Sequence, residues 1–221
     1  MIDEDMLFDS EVLQPNGVWF GAESDSVALA SGVEYALSNN AKFVSVVPGA
    51  VDVVWPWLEN KNIDIYARFY VESARRDFSE FVVAATRAFK RGANGAQIFM
   101  YPQNISNFVQ NILPVRDDLF FNRKLFVGID ICAVDAYDWN VVFDSLNIVR
   151  ADGLILIYTH ENWDKSDFVG RVMNMIDAWS DNFNGELYVS FGANSMRIEQ
   201  VLRLMKYEKP NISVQIIGTA K

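Results

Sequence analysis

His160 is the only histidine in the chain, in "YTHENW" (158–163), directly after an apolar run. An imidazole titrates near neutrality, so His160 is a candidate general acid or base. The alternative is an exposed loop histidine. Asp130 closes "KLFVGID" (124–130) and Glu72 closes "IDIYARFYVE" (63–72), which offers two carboxylates for the same acid–base work. With Glu23 they would form a ring able to hold Mg²⁺ through oxygen ligands. Loop carboxylates are usually solvated, however, and no metal is expected. One histidine and one cysteine, Cys132, do not make a structural zinc site. Arg68 shares strand parity with Tyr66 and Tyr70. If that parity points inward, Arg68 requires either a carboxylate, for which Asp130 or Glu72 would serve, or an anionic ligand.

A second constellation consists of small residues. "FGANSM" (191–196) contains Gly192, Asn194 and Ser195 and leads into helical spacing. The free N–H groups of a helix start favour an anion. "QIIGTAK" (215–221) supplies Gly218 and Thr219. The two loops together read as a phosphate-binding site, against the alternative that small residues merely allow tight turns.

These residues need elements to position them, and the chain alternates between two periods. β-branched and aromatic runs occur at 17–23, 42–49, 63–72, 96–102, 124–130, 153–159, 186–192 and 213–219. Several are apolar throughout, as strands covered on both faces must be. Helical spacing fills the intervals. In "SEFVVAATRAFKRGA" (79–93), Phe81, Ala85, Ala88 and Phe89 share a face and Gly92 stops the helix. In 195–208, Ile198, Val201, Leu202 and Met205 form one stripe, with Ser195 placed to cap it. Segments 24–40 and 165–182 behave alike, and 103–123 reads as a helix with an extra turn.

Strand–helix alternation implies right-handed parallel crossovers. Eight strands with seven helices between them predict an α/β fold, a (β/α)₈ TIM barrel with a parallel eight-stranded core that lacks the last helix. The expectation is one domain over 1–221, with 1–16 as an N-terminal extension. Without a final helix, the outer faces of the first and eighth strands need cover from segment 1–16 or from a second subunit, and on that ground a homodimer is expected. Trp55 and Trp57 in "VVWPW" (53–57) pack against the barrel or form a partner surface.

The net charge of −10 argues against a nucleic-acid partner and against docking on an anionic membrane. The start "MIDEDMLFDS" lacks the basic and apolar regions of a signal peptide, and no apolar run approaches the ~20 residues of a membrane helix. With a single thiol, the expected location is cytoplasmic. No glycine-rich dinucleotide fingerprint follows the first strand, and no cofactor is expected.

Several segments resemble the deoxyribose-phosphate aldolases and the wider class I aldolase-like group. "KFVSVVPGAVDVVWPWLENKNIDIYARFYVE" is similar to that family's second strand, helix and third strand. "VVAATRAFKRGANGAQIFM" is similar to the helix entering its fourth strand, and "NIVRADGLILIYT" to the segment entering its sixth. "VSFGANSMRIEQVLRLM" followed by "SVQIIGTA" resembles its seventh strand, helix and eighth strand. The resemblance spans roughly 40–221 and implies Schiff-base chemistry on a lysine of the sixth strand. A lysine on the seventh strand and an aspartate on the fourth would assist. The matching strands here read Leu154–Ile157, Tyr188–Ser190 and Gln97–Phe99, and no lysine lies mid-strand. The sequence therefore reads as a divergent aldolase-like barrel that has lost class I catalysis. It would bind a small molecule, such as a phosphorylated metabolite, or a protein partner. The alternative is a lyase or isomerase using His160, Asp130, Glu72 and Arg68. Whether the chain is an enzyme stays open at this point.

Overall fold

The computed structural model describes residues 15–21, 25–71, 78–135, 138–158, 167–179, 183, 185–192 and 195–220, the side chain of 195 excepted. All eight expected strands form. They are β1 (Gly17–Trp19), β2 (Phe43–Val46), β3 (Asp64–Val71), β4 (Gly95–Met100), β5 (Lys124–Asp130), β6 (Gly153–Ile157), β7 (Glu186–Ser190) and β8 (Val214–Thr219). Each pairs in parallel with the next, and β8 returns to β1 through Gly17↔Ile217, Val18↔Gly218 and Trp19↔Thr219, closing the barrel. The fold is an α/β TIM barrel. Its last helix lies between β7 and β8.

The helices are α1 (Ser26–Ser38), α2 (Val51–Leu58), α3 (Ser79–Lys90), α4 (Ile105–Ile112), α5 (Arg116–Leu119), α6 (Trp139–Ile148), α7 (Phe168–Ala178) and α8 (Ser195–Glu208). Local chemistry sets their ends. Asp25 caps α1, its Oδ1 accepting the amides of Val27 and Ala28 at 3.0 and 2.8 Å. Arg91 closes α3, and Gly92 follows at φ 111°, as its place after the basic last turn predicts. A side chain at Gly92 would also lie 2.1 Å from the Trp55 ring. Trp55 thus packs over this turn and is only partly available as a partner surface. The helix with an extra turn expected over 103–123 is α4 followed by the four-residue α5, divided at Leu113–Val115, where Pro114 lacks the N–H that an unbroken helix requires. Ser195 opens α8 as its first helical residue, so the cap position falls on residue 194, outside the described residues.

The predicted stripes are buried except at Phe89, which is half-buried against the core. Phe81, Ala85 and Ala88 of α3, and Ile198, Val201, Leu202 and Met205 of α8, all face the barrel. Burying one such Leu or Phe contributes roughly 1.5–3 kcal/mol. The outer faces of β1 and β8 are covered within the chain where they are described. Val18 is fully buried and Ile216 nearly so, and Pro15 stands 3.0 Å from where a Gly218 Cβ would be. The homodimer inferred from those faces loses that ground. Of the proposed extension 1–16, residues 1–14 lie outside the described residues. Asn16 already belongs to the barrel, donating its N–H to Ile216 C=O at 2.8 Å. Among the described residues no helix is long and apolar enough to cross a membrane.

Candidate active site at the barrel mouth

Register fixes which strand residues face the barrel interior, because side chains alternate along each strand. Phe43, Tyr66, Phe99, Phe126, Ile155, Tyr188 and Ile217 form one interior cluster, with Trp19 and Ile157 packed on it. Residues of the same parity share that face. They include Ser45, Arg68, Tyr70, Gln97, Gly128, Asp130, Ser190 and Thr219.

Aromatic side chains plug the floor. Phe43, Tyr66, Phe126 and Tyr188 contact one another in a closed ring, with centroids 4.9 to 5.5 Å apart. The two phenols are tied to carboxylates two residues earlier on their own strands. Tyr66 Oη donates to Asp64 Oδ2 at 2.9 Å, and Tyr188 Oη donates to Glu186 Oε2 at 2.6 Å. Burial pushes both phenol pKa values far up, and the neighbouring carboxylates push the same way. The N-terminal end of the barrel is therefore closed, and access is confined to the carboxyl ends of the strands.

Above the floor, Gln97 Oε1 accepts two bonds, from Trp19 Nε1 at 3.0 Å and Ser45 Oγ at 2.8 Å. Arg68 is the register partner of Gln97 and is only 4% exposed. Its Nη2 donates to Phe20 C=O, and its Nε has no partner. The guanidinium carbon lies 5.3 Å from the Trp19 ring centroid and 5.7 Å from that of Tyr70. Burial lowers the Arg68 pKa from its ordinary value, with Tyr70 opposing the shift. Phe99 supports both rings, meeting Trp19 edge-on and Tyr70 face-to-face, each at 5.2 Å. Gly128 makes room for Phe99, since a Cβ there would lie 2.1 Å from that ring.

The candidates named from sequence do not all meet. Arg68 faces inward as its parity with Tyr66 and Tyr70 suggested; of the two carboxylates that could serve it, Asp130 forms no ion pair with it and Glu72 lies outside the described residues. The ion pairs among the described residues are Arg91–Asp52, Arg116–Asp152 and Arg150–Asp117, and none joins Arg68 to Asp130. Asp130 faces inward at the end of β5, and its Oδ1 accepts the Cys132 amide at 2.9 Å, capping the turn Ile131–Ala133. His160, Glu72, Glu23 and Asn194 lie outside the described residues, as does the Ser195 side chain. Gly192 is exposed at φ 59°. Gly218 and Thr219 are the last two residues of β8 rather than a loop after it. Gly218 faces outward toward Pro15, and Thr219 ends the inward row.

Trp19, Ser45 and Gln97 are site residues that the candidates from sequence do not include. A usable signal existed for Gln97, a lone amide in the otherwise apolar run "GAQIFM". A polar side chain in a strand covered on both faces must find a partner inside. The inward residues of β6 are Gly153, Ile155 and Ile157, those of β7 are Glu186, Tyr188 and Ser190, and Lys124 at the start of β5 is the only lysine in the described strands.

No protein-family model and no curated protein matches the chain. Solved structures do. Deoxyribose phosphate aldolase from Aeropyrum pernix superposes with a TM-score of 0.72 at 12% identity, covering 95% of this chain and 86% of that one. A Coccidioides immitis protein assigned as a deoxyribose-phosphate aldolase gives 0.70 at 15% identity, covering 96% and 83%. CutC from Streptococcus agalactiae, assigned to copper homeostasis, gives 0.58 at 9% identity, covering 93% and 98%. Identities this low speak to architecture and not to chemistry. The chain is a TIM barrel with the fold of the deoxyribose-phosphate aldolases.

Proposed function

We propose that the chain is a barrel that binds a small anionic metabolite at the carboxyl ends of its strands and does not run Schiff-base aldolase chemistry. The observation that carries this reading is the pair of inward rows Ile155–Ile157 and Tyr188–Ser190, which supply no amine. A Schiff base requires a desolvated lysine beside the substrate carbonyl. The closed aromatic floor and the buried cation above it support a ligand site at the mouth. A phosphorylated metabolite and a cytoplasmic setting belong to the same reading, with residues 1–221 as one domain. A second reading, a lyase or isomerase using acid–base chemistry, draws on Asp130, whose carboxylate is buried at the reactive end of β5. His160, Glu72 and Arg68 would complete that machinery.

Borohydride trapping with deoxyribose phosphate tests the first reading. No covalent adduct should form, and a trapped adduct on any lysine would overturn it. The second reading requires turnover that Asp130→Asn abolishes while the protein stays folded.

A further inference from the structure

We propose that Arg68 anchors a small monocarboxylate ligand at the mouth of the barrel. The inference rests on the reading of that mouth as a small-molecule site and narrows it to a chemical class. Arginine carries five N–H donors and stays protonated in proteins. Arg68 is 4% exposed, uses Nη2 on the Phe20 carbonyl, leaves Nε without a partner and forms no ion pair with a described carboxylate. A buried cation without a counter-charge is costly, and its usual resolution is an anion. Gln97 stands opposite in register but cannot serve, because its Oε1 already accepts Trp19 and Ser45. The Trp19 ring attracts the guanidinium and Tyr70 accepts a hydrogen bond from it, but both are neutral and neither satisfies Nε.

What the guanidinium lacks is an acceptor at Nε and a counter-charge, and a carboxylate supplies both, meeting the fork with two parallel bonds. The charge balance points the same way. One cation matches one negative charge, whereas a phosphate near −2 calls for more positive charge than Arg68 supplies. Ser190, on the inward face at the end of β7, has a second buried oxygen without a partner at the same end of the barrel. Tyr70 is 54% exposed one inward position above Arg68 and forms the rim past which such a ligand would enter.

The test is a titration with acetate, pyruvate and inorganic phosphate, read by heteronuclear NMR at the Trp19 indole N–H. Both carboxylates should shift that resonance saturably and phosphate should not. Arg68→Lys keeps the charge but loses the fork and should weaken carboxylate binding at least about tenfold. Gln97→Glu places a carboxylate opposite Arg68 and should abolish the response in a folded protein, which keeps the test decisive if Arg68→Lys fails to fold. Absence of any carboxylate response overturns the proposal. So does unchanged affinity in Gln97→Glu, or a phosphate response that depends on Arg68. Such a failure without a borohydride adduct leaves the ligand-binding reading standing. An adduct ends that reading whatever Arg68 binds.

Discussion

Trp19 on β1 donates its indole N–H to Gln97 Oε1 on β4 at 3.0 Å, bridging the barrel interior past the two strands between them. The same oxygen accepts Ser45 Oγ from β2. Three strands thus meet at one acceptor directly below the candidate ligand site. Gln97→Leu should leave both donors unpaired and cost about 2–3 kcal/mol, as unsatisfied buried donors do. Adding Trp19→Phe and Ser45→Ala should recover most of that loss, because removing all the partners leaves nothing unsatisfied. Urea denaturation of the single and triple variants measures both effects. A triple variant no more stable than the single would refute the shared-acceptor account.

The two floor phenols predict a loss of stability in alkali. Burial raises the Tyr66 pKa most, followed by Asp64, and burial raises that of Tyr188 most, followed by its bond to Glu186. An unfolded tyrosine releases its proton near pH 10, while these two hold theirs in the folded state. Above about pH 10 the unfolded chain therefore binds fewer protons, and stability falls as pH rises. Below about pH 10 the contribution is fully present. Denaturation midpoints between about pH 8 and 11 should show a decline that is shallower in Tyr188→Phe. Tyrosinate absorbance from Tyr66 and Tyr188 should appear only together with unfolding.

The framework was legible because each strand is an apolar run bounded by turn signals, and because Gly92 and the α3 and α8 stripes obey helical spacing. The mouth was harder to read. A residue's face depends on register, and a shift of one position inverts it, so Arg68 could be placed inward only on condition. Gly218 and Thr219 read equally well as a loop or a strand end, since small residues suit both, and pairing with Val18 and Trp19 decides for the strand. Asp130 ends the apolar run of β5, but its Cys132 bond arises from a turn that no periodicity reveals.

Three side chains at the opposite end of the barrel repeat one device. Asn16, Asn94 and Asp152 stand one residue before β1, β4 and β6, each directly followed by glycine. Their side-chain oxygens accept the amides of Ile216, Ile65 and Leu125 at 3.1, 2.9 and 2.7 Å. Those amides belong to β8, β3 and β5, so each bond fixes a strand against the preceding one in the barrel order. Asp152 also lies 3.5 Å from Arg116, whose Nε and Nη2 donate to the carbonyls of Val149 and Arg150. Asn94→Ala should cost about 1 kcal/mol, the net value of one such hydrogen bond. Asp152→Ala should cost more, since it removes a charge-assisted acceptor and the carboxylate nearest to a half-shielded guanidinium. The sites use different strands, so the double variant should be additive within about 0.5 kcal/mol. Chemical denaturation gives the energies, and hydrogen exchange at Ile65 and Leu125 shows whether each substitution loosens its own strand. Faster exchange at Leu125 in Asn94→Ala, with Ile65 unchanged, would contradict the local mechanism.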